Sequence, residues 1–241
     1  MTRYLFPGPL SAWRGSSGAF GLTPNERRIV LLSPWIIALI QALGIAVPAT
    51  RKLALWMLLE NRPVEMLTFV ALFIGGLYSM VFAWKLRDTG EPILYRLFFL
   101  LFGVILLLIG MEEISWGQQF LRFDTPESWM NLNSQGETNL HNLPGLQGNS
   151  EYMRLGFGLA GLIGIALGRI PLFRPIATPA LLFSWFLIIS VHAGVDAYND
   201  FHPIQEQFDY YMQRTSELVE CMIGLAAFLY VWMHVRARSS A

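Results

Sequence analysis

Apolar residues in this chain gather into long runs broken by short polar stretches. Runs at 29–48, 64–84, 93–111, 155–170, 180–195 and 218–235 each approach the roughly 20 apolar residues that an α-helix needs to cross ~30 Å of hydrocarbon. The pattern predicts an all-α, polytopic membrane protein with six transmembrane helices. Local signals agree. Thr23, Pro24 and Glu26 stand at the N-cap, N1 and N3 spacing of a capping box ahead of the first run. RKLALWMLLENR, at 51–62, is too short to cross and sets Trp56 and its leucines beside charge, which predicts an interfacial helix. Pro63 opens the second run, and Asp88, Gly90 and Pro92 turn the chain into the third. After Glu112 and Glu113 comes a long polar segment reaching Ser150, with room for a short helix capped at Asp124 or Thr125 and Pro126 in its first turn. A connection of that length tends to be functional or disordered. The fourth run is rich in glycine, a composition that lets helices approach closely in lipid. The predicted organisation is an N-terminal segment 1–28, a six-helix domain 29–235 with an outer loop 122–150, and a tail 236–241. No internal repeat stands out.

Composition sharpens this. The 241 residues are 54% apolar and only 14% charged, with a mean hydropathy of +0.44, far from an average soluble domain. A formal net charge of +0 and no arginine-rich run leave no electrostatic footprint for nucleic acid. The first 28 residues scatter glycine and proline among aromatics, unlike a cleaved signal peptide. Cys221 is the sole cysteine, so an intrachain disulfide is excluded, and in an apolar run it reads as a small buried hydrophobe.

Six crossings place both termini on one side. Most of the 17 basic residues fall on that terminal face, against Arg51, Lys52, Arg62, Arg122, Arg154 and Arg214 on the other. By the positive-inside rule both termini are expected in the cytoplasm. Of the 17 acids only Glu26, Asp88 and Glu91 share that face. The outer face is therefore acidic and carries His141, His192 and His202, and a functional site is expected to open there.

Glu112 and Glu113 follow directly on the third run. A carboxylate carried into a bilayer costs about 2.5–3.5 kcal/mol at the centre, so it usually faces a protein interior or a wet cavity. If the helix continues, Glu112 shares a face with Ser115, Trp116 and Gln119, and Glu113 aligns with Gly117 and Phe120; the competing expectation is that both acids end the span at headgroup level. In QGETNLHN, Glu137 and His141 are four apart, close enough in one helical turn to bind one ion. His192, Asp196 and Asp200 recur at every fourth position, a donor set that suits zinc, iron or manganese but equally a structural hydrogen-bond network. Glu217 and Glu220 at the sixth run and Glu60 and Glu65 at the second fit the plain role of acids in a first helical turn. His234 is expected at the cytoplasmic interface. If the helices enclose one cavity, Glu65, Glu113, His141, His192, Asp196 and Glu217 converge, with Gln118, Gln135, Glu137, Asn142 and Glu220 lining it. No GxSxG elbow, HExxH helix, Walker loop or dinucleotide fingerprint is present.

The strings EEISWGQ at Glu112, QGETNLHN at Gln135, ENRPVE at Glu60 and SELVE at Ser216 resemble a group of uncharacterised small bacterial multipass inner-membrane proteins. The resemblance covers the chain from Glu60 to the end of the sixth run. It implies an inner-membrane location and one shared site, and supplies no activity. Alkaline ceramidases are similar in general character only, and their His-x-x-x-His pair is missing here. The leading expectation is a membrane-embedded hydrolase or transferase acting on a lipid-linked substrate at the outer leaflet. In its metal-dependent form Glu113, His141, His192 and Asp196 bind a divalent transition metal (Zn, Fe or Mn), with Glu217 or Glu112 as general base. A non-enzymatic subunit that docks a membrane protein partner through the acidic loop is the rival, and a transporter or cation pathway the third.

Overall fold

The structure, a computed structural model, describes residues 20–130, 138–140 and 149–239. Its helices in chain order are α1 (Pro24–Ala46), α2 (Pro48–Met57), α3 (Pro63–Lys85), α4 (Ile93–Glu113), α5 (Gln118–Leu121), α6 (Glu127–Met130), α7 (Ser150–Leu167), α8 (Phe183–Phe201) and α9 (Glu206–Ser239). Among the described residues no strand occurs. Five helices, α1, α3, α4, α8 and α9, are long and apolar enough to cross a membrane, and the chain is a multipass membrane protein. The expected fourth span is α7. Its 18 residues are not among those five, because Glu151 and Arg154 in its first turns and four glycines lower its hydropathy.

Local chemistry accounts for the helix starts. The capping box ahead of α1 is complete: Glu26 N–H donates to Thr23 Oγ1 at 3.3 Å and Thr23 N–H to Glu26 Oε2 at 2.7 Å, satisfying two orphan donors. Proline stands in the first turn of α1, α2 and α3, where its missing N–H costs nothing. At 10 residues α2 is too short to cross, as expected, and folds back on α1 through Gln41 Nε2 to Ala54 O at 3.3 Å. The largest departure is α9. The apolar run predicts a start near residue 218, yet the helix begins at Glu206 and runs 34 residues, about 50 Å at ~1.5 Å per residue. Its first three turns are polar but helix-competent, so hydropathy does not register them.

In the bundle α9 is central, packed by α3 on one side and by α8 and α7 on the other, with α4 against α3 and α1 against α8; α4 reaches α9 through the rings of Phe98, Phe99 and Phe102 against Tyr230. Phe99, Ile189, Met222 and Val231 are fully buried in the shared core. Glycine sets two of the close approaches. A Cβ on Gly103 would stand 2.7 Å from Gly76 O, holding α3 against α4, and one on Gly161 would stand 2.1 Å from the Phe186 ring, holding α7 against α8. At one end of the bundle Arg236 near the end of α9 pairs with Glu26 at the start of α1 at 2.7 Å, and Arg238 pairs with Glu91 in the α3–α4 turn. His234, expected at an interface, is instead fully buried at this end and meets Ala177 O at 3.1 Å. The opposite end gathers the starts of α3, α7 and α9 and the ends of α4 and α8.

Candidate functional site

The site begins where α4 stops. The helix does not continue past Glu113, so the expected alignment of Glu113 with Gly117 and Phe120 is not formed. Three consecutive residues take left-handed backbone: Ser115 (φ 46), Trp116 (φ 57) and Gly117 (φ 84). For the two non-glycine residues that conformation costs roughly 1–2 kcal/mol each, and it persists only where surrounding bonds over-determine it. Those bonds are present. Trp116 Nε1 donates to Glu112 Oε1 at 2.6 Å, Leu140 N to Glu112 Oε2 at 2.5 Å, and Asn139 Nδ2 to the buried Ser115 Oγ at 3.0 Å. Thr138 N donates to Gln118 Oε1 at 2.8 Å, and Gln118 Nε2 to Thr125 Oγ1 at 2.7 Å. The string EEISWGQ and the end of QGETNL are therefore laced together. Both Glu112 oxygens and both ends of the Gln118 amide are occupied in that lacing, which makes these two residues positioning groups.

Glu113 faces the other way, into the bundle. Its charged neighbours, strongest first, are Glu220 and Glu217 on α9, Glu65 on α3, and Glu112. Those of Glu217 are Glu220, Glu65, Glu60 and Arg154. Glu65, Glu113 and Glu217, far apart in sequence, thus come within electrostatic reach of one another. The first-turn explanation holds for Glu65, whose carboxylate accepts from Asn61 N–H just ahead of α3. It fails for Glu217 and Glu220, because α9 starts at Glu206 and both acids lie well inside the helix.

Beside the carboxylates sits a cation the sequence reading passed over. Arg154 on α7 is only 5% exposed. Its guanidinium forks to Asp196 Oδ2 on α8 at 2.8 Å and Glu220 Oε1 on α9 at 2.7 Å, with Ser150 Oγ at 3.0 Å. One buried and one half-buried carboxylate around one planar, always charged donor is an arrangement arginine suits. The signal was available: an arginine at the edge of a glycine-rich apolar run, just past the first turn of its helix, needs a partner. Glu151, one turn earlier, is also 5% exposed, and its Oε1 has no hydrogen-bond partner among the described residues.

The stripe His192, Asp196 and Asp200 lies on α8, but its members are engaged separately. Asp196 turns to Arg154. His192 Nε2 stands 2.9 Å from Thr215 Oγ1 on α9. Thr215 Oγ1 also reaches Tyr211 O at 2.8 Å and Met212 O at 3.2 Å; when its one proton goes to either carbonyl, His192 Nε2 is the donor. Nδ1 has no hydrogen-bond partner among the described residues. There, too, no group of three or more His, Cys, Asp and Glu side chains is placed to hold a metal ion. Gln135, Glu137, His141 and Asn142 lie outside the described residues.

What fold and site define together is a class: a helical multipass membrane protein in which five helices, α3, α4, α7, α8 and α9, bring ionisable side chains to one end of the bundle. Set against protein-family models, curated proteins and solved structures, the chain finds no match.

Proposed function

We propose that the protein is a membrane-embedded hydrolase or transferase that works on a lipid-linked substrate at the outer leaflet of a bacterial inner membrane. In this reading α7 is a sixth crossing, both termini are cytoplasmic, and the ionisable end of the bundle faces the periplasm. The carrying observation is the pair Glu113 and Glu217, two carboxylates from different helices at one level, neither ion-paired among the described residues. Two such groups can divide the roles of general acid and general base, each worth about 10²–10⁴-fold in rate. Arg154, fixed by Asp196 and Glu220, orders the α7, α8 and α9 faces around them. Glu112 and Gln118 brace the turn that aims Glu113 inward.

The test is mass spectrometry of a bacterial lipid extract incubated with the purified protein in nanodiscs. Turnover of a lipid headgroup is expected from the wild type, and a loss of about 10²-fold or more is expected from Glu113→Gln and Glu217→Gln. No converted lipid with the wild type, or full turnover in both variants, ends the proposal. A metal-dependent version needs His141 with His192 and Glu113, and elemental analysis of the wild type beside His141→Ala decides it: bound zinc, iron or manganese that falls with the variant supports it. The surplus of carboxylates around the buried guanidinium of Arg154 favours a second reading, a cation pathway. That reading predicts cation flux into proteoliposomes that disappears in Glu113→Gln.

A further inference from the structure

A second group of carboxylates lies on the seam between α7 and α8, apart from the pair Glu113 and Glu217. The two helices run antiparallel. Arg154 meets Asp196, and deeper in the bundle a Cβ on Gly158 would touch Ser190 and one on Gly161 would touch Phe186. That register sets Glu151, one turn outward from Arg154 on α7, level with Asp200, one turn outward from Asp196 on α8. Asp200 is accordingly first among the charged neighbours of Glu151. We infer that Glu151 and Asp200 together seat a primary ammonium group at the ionisable end of this seam.

The burial of Glu151 calls for a ligand. A first-turn acid that only complements the helix dipole can do so from water, yet Glu151 is 5% exposed and its Oε1 has no hydrogen-bond partner among the described residues. A carboxylate oxygen held out of water without a donor is costly. The neighbouring cation does not supply one: the guanidinium of Arg154 is committed to Asp196, Glu220 and Ser150. Nor does a shared proton, since no hydrogen bond joins Glu151 to Asp200.

Charge and hydrogen bonding select the ligand's class. Two carboxylates that have no cation of their own call for a positive group. Calcium takes roughly six or more oxygen ligands, and among the described residues no group of three His, Cys, Asp or Glu side chains is placed to hold a metal ion. A primary ammonium carries three N–H donors, enough to serve both carboxylates, and its hydrogen bonds to them are of the strong, charge-assisted kind. The walls differ in access, because Asp200 is exposed while Glu151 is buried. An ammonium on a flexible stem therefore enters beside Asp200 and ends on Glu151. In a bilayer that group is the headgroup of an aminophospholipid, and in water it is a soluble amine.

The experiment uses the full chain in nanodiscs of equal phosphatidylethanolamine and phosphatidylcholine, the second of which has no N–H to donate. Lipid kept on the protein after mild detergent extraction is counted by native mass spectrometry. In a separate arm ethanolamine is added to the protein in phosphatidylcholine alone, and the thermal unfolding midpoint is read. Several-fold enrichment of phosphatidylethanolamine on the wild type, falling to parity in Glu151→Gln and in Asp200→Asn, is expected and assigns the ammonium to a lipid. A midpoint raised by ethanolamine in the wild type but in neither variant, without lipid enrichment, assigns it to a soluble amine. Asp200 is exposed, so Asp200→Asn keeps the test open if Glu151→Gln fails to fold. Equal retention of the two lipids with no response to ethanolamine overturns the inference. So does enrichment that survives both substitutions, or an equal response to sodium at matched ionic strength. Turnover plays no part in these readings, so the seat stands or falls apart from the proposed function.

Discussion

Arg154 shows how much can rest on one side chain in an apolar setting. It is the shared partner of Asp196 and Glu220, and removing one member of a buried ion pair costs about 3–5 kcal/mol because the other charges stay buried. Arg154→Ala should therefore destabilise the protein by about that amount, read as a lowered midpoint in thermal or SDS unfolding. Arg154→Lys keeps the charge but not the fork, and should recover only part of the loss. Asp196→Asn, which leaves Glu220 in place, should cost less than Arg154→Ala. If Arg154→Ala is neutral, the guanidinium is solvated and the packing described here is wrong. The residues differ in how visible they are beforehand. Glu113 stands out because a charge interrupts an apolar run, and its inward role follows from the cost of burying it. Arg154 hides among glycines, where attention falls on packing. Glu217 is disguised by position, since an acid near the edge of an apolar run looks like an ordinary first-turn acid until the true helix start is known.

At the level of elements, most helices are legible because hydrocarbon imposes one length and one periodicity on whatever crosses it. The exit from α4 is not. Its left-handed residues depend on hydrogen bonds from Thr138, Asn139 and Leu140, more than twenty positions away, and no local propensity announces them. The glycines of α7 are legible in kind but not in direction. A Cβ on Gly161 would collide with Phe186 at 2.1 Å, whereas one on Gly156 would meet nothing within 4 Å. Gly161→Leu should cost at least about 1–3 kcal/mol through overpacking. Gly156→Leu should be neutral or stabilising by up to ~1 kcal/mol, since glycine is a poor helix former. Unfolding midpoints of the two variants check this, and equal losses would show that α7 does not lie against α8 through this face.

For the whole molecule the decisive quantity is which end of the bundle meets which side of the membrane. The pairing of Arg236 with Glu26 puts the start of α1 and the end of α9 at one end, so the charge asymmetry of the sequence acts on the molecule as a unit. That end is the basic one, and by the positive-inside rule we expect it in the cytoplasm. The expectation can be checked residue by residue because the native Cys221 is buried and should react little. Glu127 and His202 are exposed beside the ionisable end, and Asp88 and Arg174 are exposed at the other. Single cysteines at these four positions, treated on intact spheroplasts with a membrane-impermeant maleimide, should label at 127 and 202 and stay unlabelled at 88 and 174 until the membrane is opened. The reversed pattern would place the carboxylates on the cytoplasmic side and exclude a periplasmic substrate. Positions 127 and 174 flank α7, so equal labelling of both before lysis would mean that α7 does not cross. The site would then lose, as a membrane element, the helix that carries Arg154.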